Sequence, residues 1–265
     1  MFGLTDLKQK INITENKVEC PVKECTSYVH KQKKSFQPTS NFQCPIHKIF
    51  ISQSTFEYKE EKDNLLWYNT SDRILFEDIK KVKRESRIAR DNSEDALSWN
   101  VFRFLDRENL LDLYLTNFSK KEVKDSELIL WSYSPNEENI WSWLNKARLE
   151  FGETISRGSE PDIIILTDKV LYFIEAKLNA TNKTQPSNIT KKKKYETGGE
   201  NHFENVMYSN YQSVAIDEKR YELMRFWLLG TWIAKELKVD FELISLLRSE
   251  NEKTIEKEFS KHIRL

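Results

Sequence analysis

Three cysteines in 265 residues are too few for a disulfide framework. Glycine and proline number only six each, which excludes a low-complexity or linker-like chain. No apolar run reaches the roughly 20 residues of a membrane-spanning helix. The opening segment MFGLTDLKQKINITENK lacks the basic, apolar and small-residue order of a secretory leader. A cytoplasmic location with no membrane partner is therefore expected. An excess of either charge is also missing: lysine plus arginine and aspartate plus glutamate are 42 each. Contact with nucleic acid would have to come from local charge, not net charge. There is no glycine-rich phosphate loop, so chemistry driven by nucleotide hydrolysis in this chain is not expected.

What is present falls into three zones. Residues 1–70 hold every cysteine and two of the four histidines, and read as short strands and turns. Residues 71–91 are a charge-dense basic connector. Residues 92–265 carry the pattern of a mixed α/β domain. There, DNSEDALSWNVFRFL opens with capping residues and first-turn acids, and Leu97, Val101, Phe104 and Leu105 recur at helical spacing. ELILWSYS reads as a strand, NEENIWSWLNKARLEF as a helix, and ETIS as a short strand. SEPDIIILTDKVLYFIEAK reads as two strands joined by a tight turn at Thr167–Lys169. Residues 179–202 read as a loop. A helical zone from Phe203 to Leu237 is broken near Ala215–Glu218. VDFELISLL is the last strand and NEKTIEKEFSKHI the last helix.

The cysteines form a pattern. CPVKEC and CPIH place Cys20, Cys25, Cys44 and His47 as two short pairs, with eighteen residues between them. Three thiolates and an imidazole make a tetrahedral site of the structural zinc type. His30 is an alternative fourth ligand, but His47 has the better spacing. Zn²⁺ would staple a region with little core of its own. The module resembles treble-clef and ribbon-like zinc domains.

The two-strand stretch raises a different question, because its apolar strands carry charge at one end. Side chains alternate along a strand, so Glu175 and Lys177 share a face. If the strands form a hairpin, Asp162 and Glu175 lie side by side at its open end. Two adjacent carboxylates repel unless a cation sits between them. Oxygen ligands of this kind suit Mg²⁺ or Mn²⁺. A lysine beside them can orient a water and stabilise charge on a phosphoryl group. The set suits metal-assisted hydrolysis of a phosphodiester.

At these residues, Pro161-Asp162, twelve residues, then Glu175-Ala176-Lys177, the chain resembles the PD-(D/E)XK nuclease superfamily. The resemblance covers about 170 residues. It implies an α/β, restriction-endonuclease-like core: a mixed central sheet flanked by helices, with the small zinc module N-terminal to it. It implies a Mg²⁺- or Mn²⁺-dependent endonuclease acting on nucleic acid, with DNA the expected partner, and products bearing a 5′-phosphate. The metal ligands would be Asp162, Glu175, the Ala176 carbonyl and an acid from the first helix. Glu94 is the candidate, since Leu97 and Val101 place it on the stripe read as buried. Its first-turn position also suits plain support of the helix N-terminus. Glu160 competes with it; Glu150 and Glu153 are weaker. Gln212, with Tyr208 one turn before it, matches the polar residue many members carry in the helix after the lysine strand. Arg220 and Arg225 are candidate phosphate contacts. Double-strand cutting takes two active sites, so a homodimer is plausible. The alternative reading is a non-cleaving nucleic-acid-binding protein on the same fold.

Lys80, Lys81, Lys83, Arg84, Arg87 and Arg90 are dense enough to track a phosphate backbone. A solvated helix face paired with Asp78 and Glu85 would look the same in sequence.

Overall fold

The computed structural model describes the chain apart from residues 33–36, 84–85, 179, 189–191, 249 and 265. It divides into two compact units, each built from two segments: Met1–Thr70 with Ser86–Asn100, and Ser71–Glu85 with Val101–Leu265.

The first unit is made of short elements. β1 (Lys17–Glu19) pairs antiparallel with β2 (Tyr28–His30), and β3 (Phe50–Ile51) with β4 (Phe56–Glu57). Its core is small: Val18, Val29, Ile49, Ile51, Phe56 and Tyr58 pack with the three cysteines. The segment Ser86–Asn100 is stitched in by polar contacts. Asn64 donates to the carbonyls of Ile88 and Arg90, Trp99 Nε1 donates to Trp67 O, and Arg90 pairs with Glu57 at 2.6 Å.

The helices α1 (Thr70–Val82) and α2 (Glu94–Arg107) come next in the chain. Within the second unit, buried Asp72 of α1 accepts from Arg103 at 2.8 Å and Arg107 at 2.5 Å, both on α2. The helix read from residue 91 is present, but its buried stripe is not the one expected. Ala96, Ser98, Trp99 and Phe102 are enclosed, whereas Val101 and Phe104 are exposed at 40% and 38%. Tryptophan and phenylalanine have more area to bury than valine, and they set the helix rotation.

The second unit is built on a six-stranded sheet. Following α3 (Leu111–Ser119) come β5 (Glu127–Leu130), β6 (Tyr133–Ser134) and β7 (Asn139–Ile140), then α4 (Ser142–Glu150). ELILWSYS is therefore not one strand. It folds back on itself at Trp131 and Ser132, both left-handed at φ 47° and 77°, so that Leu130 faces Tyr133. A two-residue turn of this hand matches the twist of its strands. ETIS is not a strand either, since Ile155–Arg157 is a turn of 3₁₀ helix.

β8 (Ile163–Leu166) and β9 (Val170–Lys177) form the expected hairpin, with Ile163 opposite Ile174 and Leu166 opposite Leu171. Thr167 closes its turn, N–H and hydroxyl both donating to Val170 O. α5 (Lys193–Val206) begins inside the segment expected to be loop. It is interrupted at Gly198–Asn201, where Gly199 sits at φ +56°, a conformation glycine adopts without strain. After a short π-helical segment (Gln212–Asp217), α6 (Tyr221–Leu237) leads into β10 (Asp240–Leu247), and α7 (Ile255–Ser260) follows. The sheet order is β10-β9-β8-β5-β6-β7; β10 runs parallel to β9 and every other pair is antiparallel. β8 and β9 are central, which is why almost all their residues are apolar and buried. On one face Ile164, Leu171 and Phe173 pack with α4, α5 and α6. Gly230 of α6 makes that approach close: a Cβ there would lie 2.1 Å from the Phe241 ring of β10.

His202 is buried in α5, its Nε2 2.9 Å from Thr231 Oγ1 and its ring edge-on to Phe151. Burial, with a smaller push from the Lys235 charge, holds its pKa down at about 4. The unfolded chain therefore takes up this proton at higher pH than the folded one. Stability of the second unit falls as pH drops from about 6.5 toward 4. His202→Gln flattens that slope in urea unfolding followed against pH; an unchanged slope would assign it to other groups.

No helix among the described residues is long and apolar enough to cross a membrane.

Candidate metal centre and candidate active site

In the first unit, Cys20, Cys25, Cys44 and His47 bring their ligand atoms within 4.8 Å of one another. The Cys25 and Cys44 sulfurs are 3.8 Å apart, and His47 Nδ1 lies 3.6 Å from Cys20 Sγ and 3.7 Å from Cys44 Sγ. Zinc–sulfur bonds of about 2.3 Å in a tetrahedron imply sulfur–sulfur edges of about 3.8 Å, so the donor set fits one zinc ion. Left-handed residues shape both ligand loops: Glu24 (φ 61°) precedes Cys25, and Lys48 (φ 58°) follows His47. The Lys48 N–H closes the second loop on Cys44 O at 2.9 Å. His30 is exposed on β2 and outside the cluster.

In the second unit, the hairpin register places Asp162 and Glu175 at its open end. Asp162 Oδ2 accepts from Ala176 N–H at 2.9 Å, which ties the two halves of the motif together. Glu175 is 4% exposed. Its Oε1 meets the Lys177 ammonium, and its Oε2 is enclosed with no hydrogen-bond partner. Burial and then the neighbouring Asp162 charge hold the Glu175 carboxyl well above the ordinary carboxylate range. Among the described residues, the cysteine–histidine group is the set of three or more potential metal ligands that converges within 4.8 Å; the hairpin end brings no third such ligand to its two carboxylates.

A buried network holds the segment preceding the hairpin. Glu153 accepts from Ser159 N–H (2.5 Å), Ser159 Oγ (2.8 Å), Tyr195 OH (2.8 Å) and Arg225 Nε (3.1 Å). Arg148 donates to Ser159 O from Nε and Nη2, at 2.9 and 2.5 Å. Burial alone would push the Glu153 carboxyl up. The Arg225 charge and the Ser159 and Tyr195 hydrogen bonds outweigh it, and the net direction is down. Arg225→Met leaves a buried unpaired carboxylate and costs about 3–5 kcal/mol in chemical unfolding. Adding Glu153→Gln should recover a large part of that loss; no recovery would mean that the pair is not coupled.

The other expected site residues are placed differently. Glu94 lies in the first unit and is half-buried, as is Leu97, while Val101 on the same stripe is exposed. It is not part of a converging group of three or more potential ligands among the described residues. Glu160 lines a cavity of about 520 Å³ with Lys81, Arg148 and Glu153, and Glu150 is exposed. Tyr208 is not one helical turn from Gln212. It lies between helical segments, 68% exposed, with the Arg264 guanidinium over its ring at 4.6 Å. Gln212 is exposed and donates to Asp217 at 3.0 Å. Arg220 and Arg225 are not surface phosphate contacts. Arg220 is buried between Glu252 (2.7 Å) and Glu258 (2.6 Å), and Arg225 is spent on Glu153. The basic run is not one helix. Lys80 and Lys81 end α1 paired with Glu77 and Asp78, Lys83 lies over the Trp131 ring, and Arg87 and Arg90 belong to the first unit. Arg84 lies outside the described residues.

One acid escaped the sequence reading. Glu222, in the first turn of α6, brings Oε2 to 3.4 Å from the Lys177 ammonium. Its only local signal was that of an ordinary first-turn acid.

No family model matches the chain, and neither a curated protein nor a solved structure does.

Proposed function

We propose that the second unit is a metal-dependent nuclease of the PD-(D/E)XK kind, cleaving phosphodiester bonds of nucleic acid, DNA in the first instance. The observation that carries this reading is the end of the β8–β9 hairpin. Two carboxylates, Asp162 and Glu175, adjoin there, with Lys177 two residues along the same strand face. The order of elements supports it: β5, β8 and β9 run antiparallel in sequence, helices follow, and β10 then adds parallel to β9. This order is in keeping with the one expected of a restriction-endonuclease-like core.

The residues fit Mg²⁺ or Mn²⁺. The unpartnered, enclosed Glu175 Oε2 and the repulsion from Asp162 are both relieved by a divalent cation. Such an ion supplies Lewis-acid polarisation of the phosphodiester and of an attacking water. The chain's own groups do the rest. Asp162 is oriented by the Ala176 N–H. Lys177 orients the water and offsets charge on the phosphoryl oxygens. The zinc module adds a stapled first unit that is available to hold nucleic acid.

The test is incubation of the purified chain with supercoiled plasmid, linear duplex, single-stranded DNA and RNA, each with Mg²⁺, Mn²⁺ or EDTA. Cutting that requires the divalent ion supports the reading and identifies the substrate class. Binding without cutting, under every ion, would favour the non-cleaving alternative.

A further inference from the structure

Lys177 pairs with one acid of the hairpin, Glu175, and with one from outside it, Glu222. Its ammonium meets Glu175 Oε1 and lies 3.4 Å from Glu222 Oε2. Glu222 Oε2 is enclosed, although the side chain as a whole is 28% exposed, and it has no hydrogen-bond partner. Its backbone is clamped in place by Thr184, from the segment that follows β9. Thr184 Oγ1 accepts from Glu222 N–H at 2.8 Å, Thr184 O accepts from Tyr221 N–H at 3.3 Å, and Thr184 N–H donates to Lys219 O at 2.6 Å. The start of α6 is thus pinned beside the end of β9, with an unsatisfied carboxylate oxygen facing the lysine.

Glu175 cannot satisfy two cations equally. The oxygen that now meets Lys177 is lost to the lysine to the extent that Glu175 turns toward a divalent ion. A side chain with four rotatable bonds then needs another anchor to stay aimed. We infer that Glu222 is the positioning residue for Lys177: it keeps the ammonium in place at the end of β9 when Glu175 is engaged elsewhere. This inference rests on the nuclease reading above. Glu222 acts through the lysine and is not a third metal ligand, in keeping with the absence of a converged acidic trio among the described residues.

The test compares wild type with Glu222→Gln and Glu222→Asp by two readouts. The first is cleavage kinetics together with Mn²⁺ titration. The second is the ¹H–¹⁵N signal of the Lys177 ammonium, assigned with Lys177→Arg and recorded with and without Mg²⁺. Glu222→Gln should lower kcat about 10- to 100-fold, the scale of a misplaced catalytic group. KM and Mn²⁺ affinity should stay within about twofold, and Glu222→Asp should recover part of kcat. The Lys177 ammonium protons should exchange faster in Glu222→Gln, most of all with Mg²⁺ present. An unchanged kcat overturns the inference. A fall in Mn²⁺ affinity that parallels kcat also overturns it, because Glu222 would then be a ligand. If the wild-type chain cuts nothing, the nuclease reading fails by itself and the ammonium signal decides. Faster exchange in Glu222→Gln upholds the lysine clamp, and unchanged exchange overturns it.

Discussion

Cys44→Ser should abolish zinc binding and unfold the first unit, while the second remains folded. By elemental analysis the wild-type protein should carry one zinc per chain and the variant none. The expected effect is large because the first unit has little else to hold it. Its core is a handful of apolar side chains around the cysteines, and its strands are two or three residues long. Structural zinc contributes about 10–16 kcal/mol in small modules of this type, and binding energy there is folding energy. A cluster of this size cannot replace it. The second unit has a far larger core, built from α4, α5, α6 and the sheet. Hydrogen exchange should therefore lose protection at Val18, Val29 and Ile51 in the variant, and keep it at Ile164 and Phe173. A strong chelator should reproduce the pattern in wild type. A variant that keeps full protection in the first unit would show that metal is not its staple.

On the proposed nuclease reading, Asp162→Asn should abolish cleavage without costing stability. Asparagine keeps the shape of aspartate and an oxygen that can accept from Ala176 N–H, so the hairpin end stays tied. What it removes is the charge that presses on Glu175. The metal-free variant should thus melt at the same temperature as wild type or higher, the mark of a site kept for function at the expense of stability. Its cleavage rate should fall by about 10³-fold or more, because positioning and charge stabilisation are lost together. Lys177→Met should lose about 10²–10⁴-fold, the range for a proton-handling group. Measured side by side, rate and melting temperature separate a functional site from a structural ion pair. If Asp162→Asn melts well below wild type, the carboxylate is holding the fold. Cutting that survives both variants would place the activity elsewhere.

What was legible in the sequence was what depends on near neighbours. The ligand pairs Cys20/Cys25 and Cys44/His47 announce a zinc cluster because short spacing aims both members at one point. The β8–β9 hairpin was legible from two apolar runs and a turn three residues long. Other elements went wrong where local pattern was silent or ambiguous. ELILWSYS has no glycine or asparagine to mark the reversal at Trp131–Ser132, so it read as one strand. In α2 every third or fourth position is apolar on two sides, and only packing chose Trp99 and Phe102 over Val101 and Phe104. Arg220 and Arg225 looked like surface cations because their acidic partners, Glu252, Glu258 and Glu153, are distant in sequence.

The sequence by itself determined the hairpin that sets Asp162 beside Glu175, the lysine on the same strand face, and the four residues of the cysteine–histidine cluster. Alternation along a strand and the reach of a short loop are local geometry and need no tertiary contact. Only the tertiary structure decided which acid stands over Lys177, which arginines are buried, and which face of each helix is enclosed. Those depend on α6 returning across β9 and on Thr184 pinning its first turn, and such a contact leaves no periodic trace in either segment.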